Sequence, residues 1–342
     1  MSWYGIEAVY RAISRTRKVL FEPFDFWKWA KLAIIILLGG AGSGYGSSTN
    51  YSTEMQDLGN NFPIIELPAT LSIPAILIAV LFFLILVLIL SYISSVMEFV
   101  FVESLVRNEV KFWAYSRRFL GKGFYLLLVR LAIGLVFLVL LGIAFLPILP
   151  IILESPSDFA WPKLLGEIFW LVGLFILLAL LAIAIESFIS LAIPVSIYRD
   201  KGILPAFRMI YGNFRKSWKE VVVYWLVRFA LGIGTGIIVI FLFVLMMLVL
   251  VLGFLIFDGV LYFLFSLLVS ESFIWILLTP FIIIELFLIL GTLFFLSVPF
   301  VVFMKYHLLS FLEAWFADAE IPFFDAPVVE PENGFNKPEP GF

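Results

Sequence analysis

Two hydrophobic rhythms alternate along the chain. Long apolar stretches are separated by shorter segments in which apolar and basic residues recur at helical spacing. The central stretch Ile193–Ile233, IPVSIYRDKGILPAFRMIYGNFRKSWKEVVVYWLVRFALGI, contains both. Within it Ile203, Phe207, Ile210, Tyr211, Phe214 and Trp218 fall at i, i+4, i+7, i+8, i+11 and i+15. Arg208, Gly212, Arg215, Lys216 and Lys219 fill the opposite face, and Pro205 suits a first helical turn. An aromatic face opposed to a basic one predicts a helix lying in a membrane interface. Residues 3–20 repeat the pattern, with Ile6, Val9, Tyr10 and Ile13 opposite Glu7, Arg11, Arg15 and Lys18. So does Asn108–Lys122, with Phe112, Trp113, Phe119 and Leu120 opposite Lys111, Arg117, Arg118 and Lys122.

The apolar stretches predict six membrane spans, at about 30–45, 74–107, 123–149, 164–198, 221–257 and 272–303. A crossing takes about 20 residues. The first span is short, and a re-entrant segment is its alternative. The second, as a helix, is about 50 Å long and must tilt or extend beyond the bilayer. Between them, residues 46–73 form a polar loop without Lys or Arg, carrying the glycosylation-type triplet Asn50-Tyr51-Ser52. Pro147 and Pro150 close the third span, and ESPSDFAWP leads to the fourth. Asp258–Glu271 reads as an interfacial or re-entrant connector. A short amphipathic piece follows Lys305, and the acidic, Pro-rich residues 317–342 read as a disordered cytoplasmic tail.

Composition supports this class. The chain is 63% hydrophobic and 14% charged, with a mean hydropathy of +1.12, too apolar to cover a soluble domain of 342 residues. It has no cysteine, which excludes disulfides, thiolate metal sites and a Cys nucleophile. Charge placement orients it. Residues 1–31 hold six Lys or Arg, residues 107–122 five and residues 199–219 six, while the loops on the other side hold only Lys163. The positive-inside rule then puts both termini and both basic connectors in the cytoplasm of a cell-membrane protein. Anionic lipid headgroups are the expected partners there, through Arg117, Arg118, Arg208, Arg215 and Lys216. Nucleic acid is a poor fit, because the cationic faces adjoin apolar spans. A membrane-protein partner or a second copy of the chain is the other expected neighbour.

The segments LVRLAIGL (128–135) and LVRFALGI (226–233) match at five of eight positions, each opening a span after a basic helix. LAIPVSIYRD (191–200) is likewise similar to LSVPFVVFMK (296–305). The unit is an amphipathic helix followed by a two-span hairpin, starting near residues 2, 108 and 203. Two spans per unit make the repeats parallel. The fold class is therefore an all-α polytopic bundle of six spans, with cytoplasmic interfacial helices and parallel hairpin repeats.

The block LAIPVSIYRDKGILPAFRMIYGNFRKSWKEVVVYWLVRFALGI, with FEPFDFWKWAKLAIIILLGG near the start, resembles uncharacterised archaeal six-span membrane proteins. These are distantly similar to the membrane domain attached to some glycerophosphodiester phosphodiesterases. The phosphodiesterase domain and its catalytic residues are absent from this sequence, so the resemblance implies a membrane fold and no activity.

Polar chemistry is sparse. Glu98, Glu186, Glu285, Arg130 and Arg228 lie within the spans and form the candidate intramembrane polar site. Pairing of Glu98 or Glu186 with Arg130 or Arg228 is expected, with snorkelling of both arginines to lipid phosphates as the alternative. Glu285, in FIIIELFLIL, is the candidate protonatable or ion-binding carboxylate. The single histidine, His307, cannot build a His-rich metal site, and no GxSxG, phosphate-loop or HExxH spacing occurs. No metal, cofactor or enzymatic activity is expected. The leading function is a non-enzymatic scaffold or accessory protein acting on lipids or other membrane proteins. A small-solute or lipid-linked transporter is the alternative, and a membrane-embedded enzyme the third reading. A transporter requires a cavity lined by the intramembrane charges, whereas a scaffold requires those charges to be paired off in a packed bundle.

Overall fold

A computed structural model describes residues 3–40, 73–146 and 161–325, and these are all-helical apart from short connections. Eight α-helices follow in order: α1 Tyr4–Leu20, α2 Phe26–Gly40, α3 Ile73–Val106, α4 Phe112–Phe145, α5 Trp161–Tyr198, α6 Ile203–Lys216, α7 Trp218–Ser266 and α8 Glu271–Trp315. The polar loop with Asn50, the outer end of the first span, Pro147 and Pro150, most of the ESPSDFAWP loop and the tail from 326 lie outside the described residues. Five helices are long and apolar enough to cross a membrane: α3, α4, α5, α7 and α8.

The helices share one end. Lys28, early in α2, donates to Asn108 just past α3, while Gly39, late in α2, accepts from the Ser94 hydroxyl at 2.7 Å. Helices α2 and α3 therefore run antiparallel. The Tyr306 hydroxyl of α8 donates to the Leu105 carbonyl at 2.7 Å, which sets the end of α8 beside the end of α3. His307 lies 3.0 Å from the Gly5 carbonyl of α1. The starts of α1, α2, α4 and α7 and the ends of α3, α5 and α8 thus gather in one region, termed here the inner end.

Nearly all of the packed core is there. Phe99, Leu105, Phe119, Ile189, Tyr224 and Phe311 are among its fully buried side chains. A row of near-parallel rings runs through it, His307 on Tyr224, Tyr224 on Phe311 and Phe311 on Trp315, with centroids 5.4, 4.2 and 5.5 Å apart. Gly123 makes the closest helix approach: a Cβ there would sit 2.4 Å from Val96 Cγ2 and 3.0 Å from Val96 Cα, so only glycine lets α4 lie on α3. The outer halves differ. Residues such as Phe82, Leu138, Phe169, Phe241 and Leu255 are exposed. Lipid is as apolar as these side chains, so burying them against one another gains little.

Several expectations change. Asn108–Lys122 is no separate interfacial helix. Its residues from Phe112 onward are the first turns of α4, which runs unbroken through Gly123 to Phe145. Nor do Asp258–Glu271 form a connector: α7 continues through Asp258 to Ser266, and only residues 267–270 turn. Without Pro or a basic residue near 258, nothing stops the helix. The amphipathic piece after Lys305 is the last part of α8, which passes through Pro280 and Pro299. The first residues of the expected tail are packed. After a 3-10 turn at Ala317–Ala319, the side chains of Ile321 and Phe323 are buried, and the Phe324 N–H donates to the Val106 carbonyl at 3.0 Å. Helix α1 also turns an unexpected face inward. Gly5, Ala8, Ala12 and Arg15 are buried, while Ile6, Tyr10 and Ile13 point outward. Small residues let α1 lie close on α8 and α7, leaving its large apolar residues free to face lipid.

Candidate functional site: a buried ion-pair cluster

The membrane-level charges converge where α3, α4 and α5 meet. Arg130 of α4 projects between its neighbours, and its Nη2 donates to Glu98 Oε2 of α3 at 2.9 Å and to Glu186 Oε1 of α5. The Glu98 side chain is 5% exposed and that of Arg130 15%. Local sequence explains the meeting. Gly123 brings α4 onto α3 two turns before Arg130, and Ser94 and Ser95 keep α3 slim beside Glu98. A charge on a span must find a partner, and one arginine bridging two carboxylates pairs three charged groups together.

Lys305 of α8 is also buried, within electrostatic range of Glu98, Arg130, Glu186 and Arg228. Arg228 makes a contact of another kind. Its Nη1 donates to the Tyr224 hydroxyl one turn earlier on α7, at 2.7 Å. The two arginines of the matching octets therefore occupy different surroundings. Glu98 Oε1 and Arg130 Nε and Nη1 are buried with no hydrogen-bond partner among the described residues.

Glu285 is not part of this cluster. It lies 20 residues before Lys305 on α8, about 30 Å along the helix, and faces Asp258 across the α7–α8 seam. The pair stands where residues 229–304 contain no Lys, Arg or His.

Two further ionic sites at the inner end escape a linear reading. Glu103, fully buried on α3, accepts from Arg107 at 2.6 Å, Arg118 at 3.2 Å and the Tyr198 hydroxyl at 3.1 Å. Arg118, expected to reach lipid headgroups, is thus tied to a protein carboxylate. Arg15, expected on the solvated face of α1, is 6% exposed. Its guanidinium donates to Ser310 at 3.0 Å, Glu313 at 2.8 Å and Asp325 at 3.1 Å, and stacks 3.6 Å from the centre of the Phe323 ring. Burial alone would lower the Arg15 pKa, but hydrogen bonds to Glu313 and Asp325 hold it above its ordinary value, so the group stays charged. The (i, i+4) spacing of Glu103 and Arg107 is a local sequence signal for the first of these sites. Glu313 and Asp325 lie some 300 residues from Arg15.

Two cavities lie away from the cluster. One is a shallow depression of about 500 Å³ beside Trp3, Ile6, Glu7 and Tyr10. The other, about 10 Å³, lies in the α7–α8 seam. No group of three or more His, Asp or Glu among the described residues could hold a metal ion.

The class is thus an all-helical, multi-pass membrane protein with a bridged ion-pair cluster at the packed end of its spans. The chain belongs to DUF7544, a family of unknown function, whose profile matches residues 3–321. No curated protein and no solved structure matches it.

Proposed function

We propose that this chain is a non-enzymatic scaffold or accessory protein of the cell membrane, acting on lipids or on other membrane proteins. One observation carries the reading: three of the charges within the spans, Glu98, Arg130 and Glu186, are engaged with one another. Arg130 bridges Glu98 and Glu186 in a packed seam, and the described cavities lie elsewhere. A transporter would need those groups along an aqueous path. The long apolar halves of α3, α4, α5, α7 and α8 give the protein a large lipid-facing surface around a rigid base. An accessory role also fits the resemblance to a membrane domain that accompanies phosphodiesterases.

Six crossings with both termini cytoplasmic are part of this proposal. Helix α1 and the segment through Asp325 meet at the inner end, whereas α3 begins at the outer end. An even number of passages satisfies this, and the one beginning with α2 is the sixth. The basic residues at the inner end support a cytoplasmic placement.

The test uses purified protein in sealed vesicles with pH- and cation-sensitive dyes inside. The accessory reading expects an imposed proton or potassium gradient to decay no faster than in protein-free vesicles. Faster decay that Glu186→Gln abolishes would replace it with the transporter reading.

A further inference from the structure

The basic residues of the inner end divide by whether a carboxylate reaches them. Among the described residues, eight are neutralised within the chain. Arg11 lies 2.7 Å from Glu7, and Arg17 2.6 Å from Glu22. Arg15 is held by Glu313 and Asp325, and Arg107 and Arg118 by Glu103. Lys111 pairs with Glu109, Lys122 lies 2.9 Å from Asp200, and Arg199 lies 3.3 Å from Glu320. Helix α6 and the first turn of α7 hold four of the rest. Arg208, Arg215, Lys216 and Lys219 are exposed, and among the described residues none has a carboxylate partner. Helix α6 itself contains no Asp or Glu.

The orientation of α6 is fixed by packing. Ile203, Ala206 and Ile210 are buried. Phe207 and Phe214 meet the Phe188 ring of α5 at 6.1 and 5.0 Å, and Phe214 also meets Trp225 of α7. The apolar face is therefore engaged with protein rather than inserted in lipid. Leu204, Arg208, Tyr211 and Arg215 follow one another along the outward face, with the Arg215 guanidinium 6.0 Å from the Tyr211 ring. Tyr211 and Trp218 are exposed beside these cations. Tyr and Trp favour the headgroup level of a bilayer. The chain holds α6 there, because Tyr198 ends one membrane-length helix shortly before it and Trp218 begins another just after it.

We propose that the outward face of α6, with Lys219, is a docking surface for anionic lipid headgroups of the inner leaflet. The proposal rests on the membrane-accessory reading and narrows it to a ligand class and a surface. Charge complementarity supports it: four cations without an acidic partner on the adjoining helix face the layer that carries negative charge. The other exposed cations without a carboxylate partner among the described residues include Lys18, Lys31 and Arg117, which are scattered over three helices.

The test titrates the full chain, in neutral detergent, with phosphatidylglycerol, phosphatidylcholine or inorganic phosphate, counting bound lipids by native mass spectrometry. Phosphatidylglycerol is expected to bind more tightly than phosphatidylcholine. The combined variant Arg208→Gln, Arg215→Gln, Lys216→Gln, Lys219→Gln is expected to lose this preference, a fall of about tenfold or more. The control Arg17→Gln, Lys111→Gln keeps it. Equal loss in the control, or an unchanged combined variant, overturns the proposal. Displacement of lipid by equimolar inorganic phosphate overturns the lipid source in favour of a free phosphate. Binding of polyglutamate with none of phosphatidylglycerol assigns the surface to an acidic protein instead. Should the combined variant fail to fold, Arg208→Glu and Lys219→Glu are read singly, each expected to weaken binding by about fivefold, and no change in either overturns the proposal. Gradient decay in sealed vesicles reads a different property, so failure of the α6 surface leaves the accessory reading standing.

Discussion

The inner and outer halves of the bundle obey different rules. At the inner end, side chains interlock, charges pair and a glycine sets a helix contact: Arg130 joins three helices, Arg15 joins α1, α8 and the segment beyond it, and Gly123 seats α4 on α3. In the outer half, Leu, Ile and Phe stand exposed along most helices, and α7 and α8 extend as a hairpin of 49 and 45 residues. At about 74 and 68 Å these two exceed the roughly 30 Å of a hydrocarbon layer. The lesson is that apolarity does not build the bundle. Lipid removes the reward for burying one apolar side chain against another, so specificity falls to polar pairs and small-residue contacts.

Three measurements can break or sharpen this contrast. The largest effect is expected at the ion-pair cluster. Arg130→Met leaves Glu98 and Glu186 together without their bridge, and breaking a buried pair from one side costs about 3–5 kcal/mol. Thermal unfolding in detergent should show the loss, and adding Glu98→Leu and Glu186→Met should recover most of it. If Arg130→Met alone melts like the parent protein, the cluster does not hold the inner end together.

A smaller effect is expected from packing. Gly123→Leu forces α4 away from Val96 and should cost about 1–3 kcal/mol, as overpacking does. Gly253→Leu, in the outer part of α7 where a Cβ meets nothing within 4 Å, should stay within about 0.5 kcal/mol of the parent. Equal costs at the two sites would erase the distinction between the halves.

The smallest concerns acid. Hydrogen bonding to Lys122 holds the exposed Asp200 below the ordinary carboxylate range. A depressed carboxylate stabilises the fold above its unfolded pKa, and that contribution is lost as pH falls through the lower folded value. The link between α4 and the end of α5 should therefore weaken only below about pH 4. Hydrogen exchange at the α5–α6 junction should speed up there in the parent and not in Asp200→Asn. Loosening that begins near neutral pH would point to another group.

The helical class was legible, as was the need of charges within the spans for partners, because each rests on an energy the chain cannot avoid; that one arginine takes both glutamates was not. Backbone groups in lipid must pair internally, and charges there must find partners. Helix breaks were less legible. Ser217 separates α6 from α7, whereas the similar basic segment before Gly123 runs straight into α4. A basic face opposed to an aromatic one recurs in both, so that pattern does not mark where the helix breaks. The outward turn of Ile6, Tyr10 and Ile13 was hidden for a related reason. A sequence pattern shows which face is apolar but not whether that face meets protein or lipid.

Composition and charge placement alone determined that this is a helical membrane protein with an asymmetric charge distribution, since these follow from transfer energies summed residue by residue. Tertiary structure decided which basic residues stay free for other molecules. Arg15 and Arg118 look like Arg208 and Arg215 in the sequence, yet carboxylates 298 and 15 residues away reach the first two, and none among the described residues reaches the last two. Neutralisation depends on distances of a few ångströms between residues that can be hundreds apart, and only the folded arrangement fixes those distances.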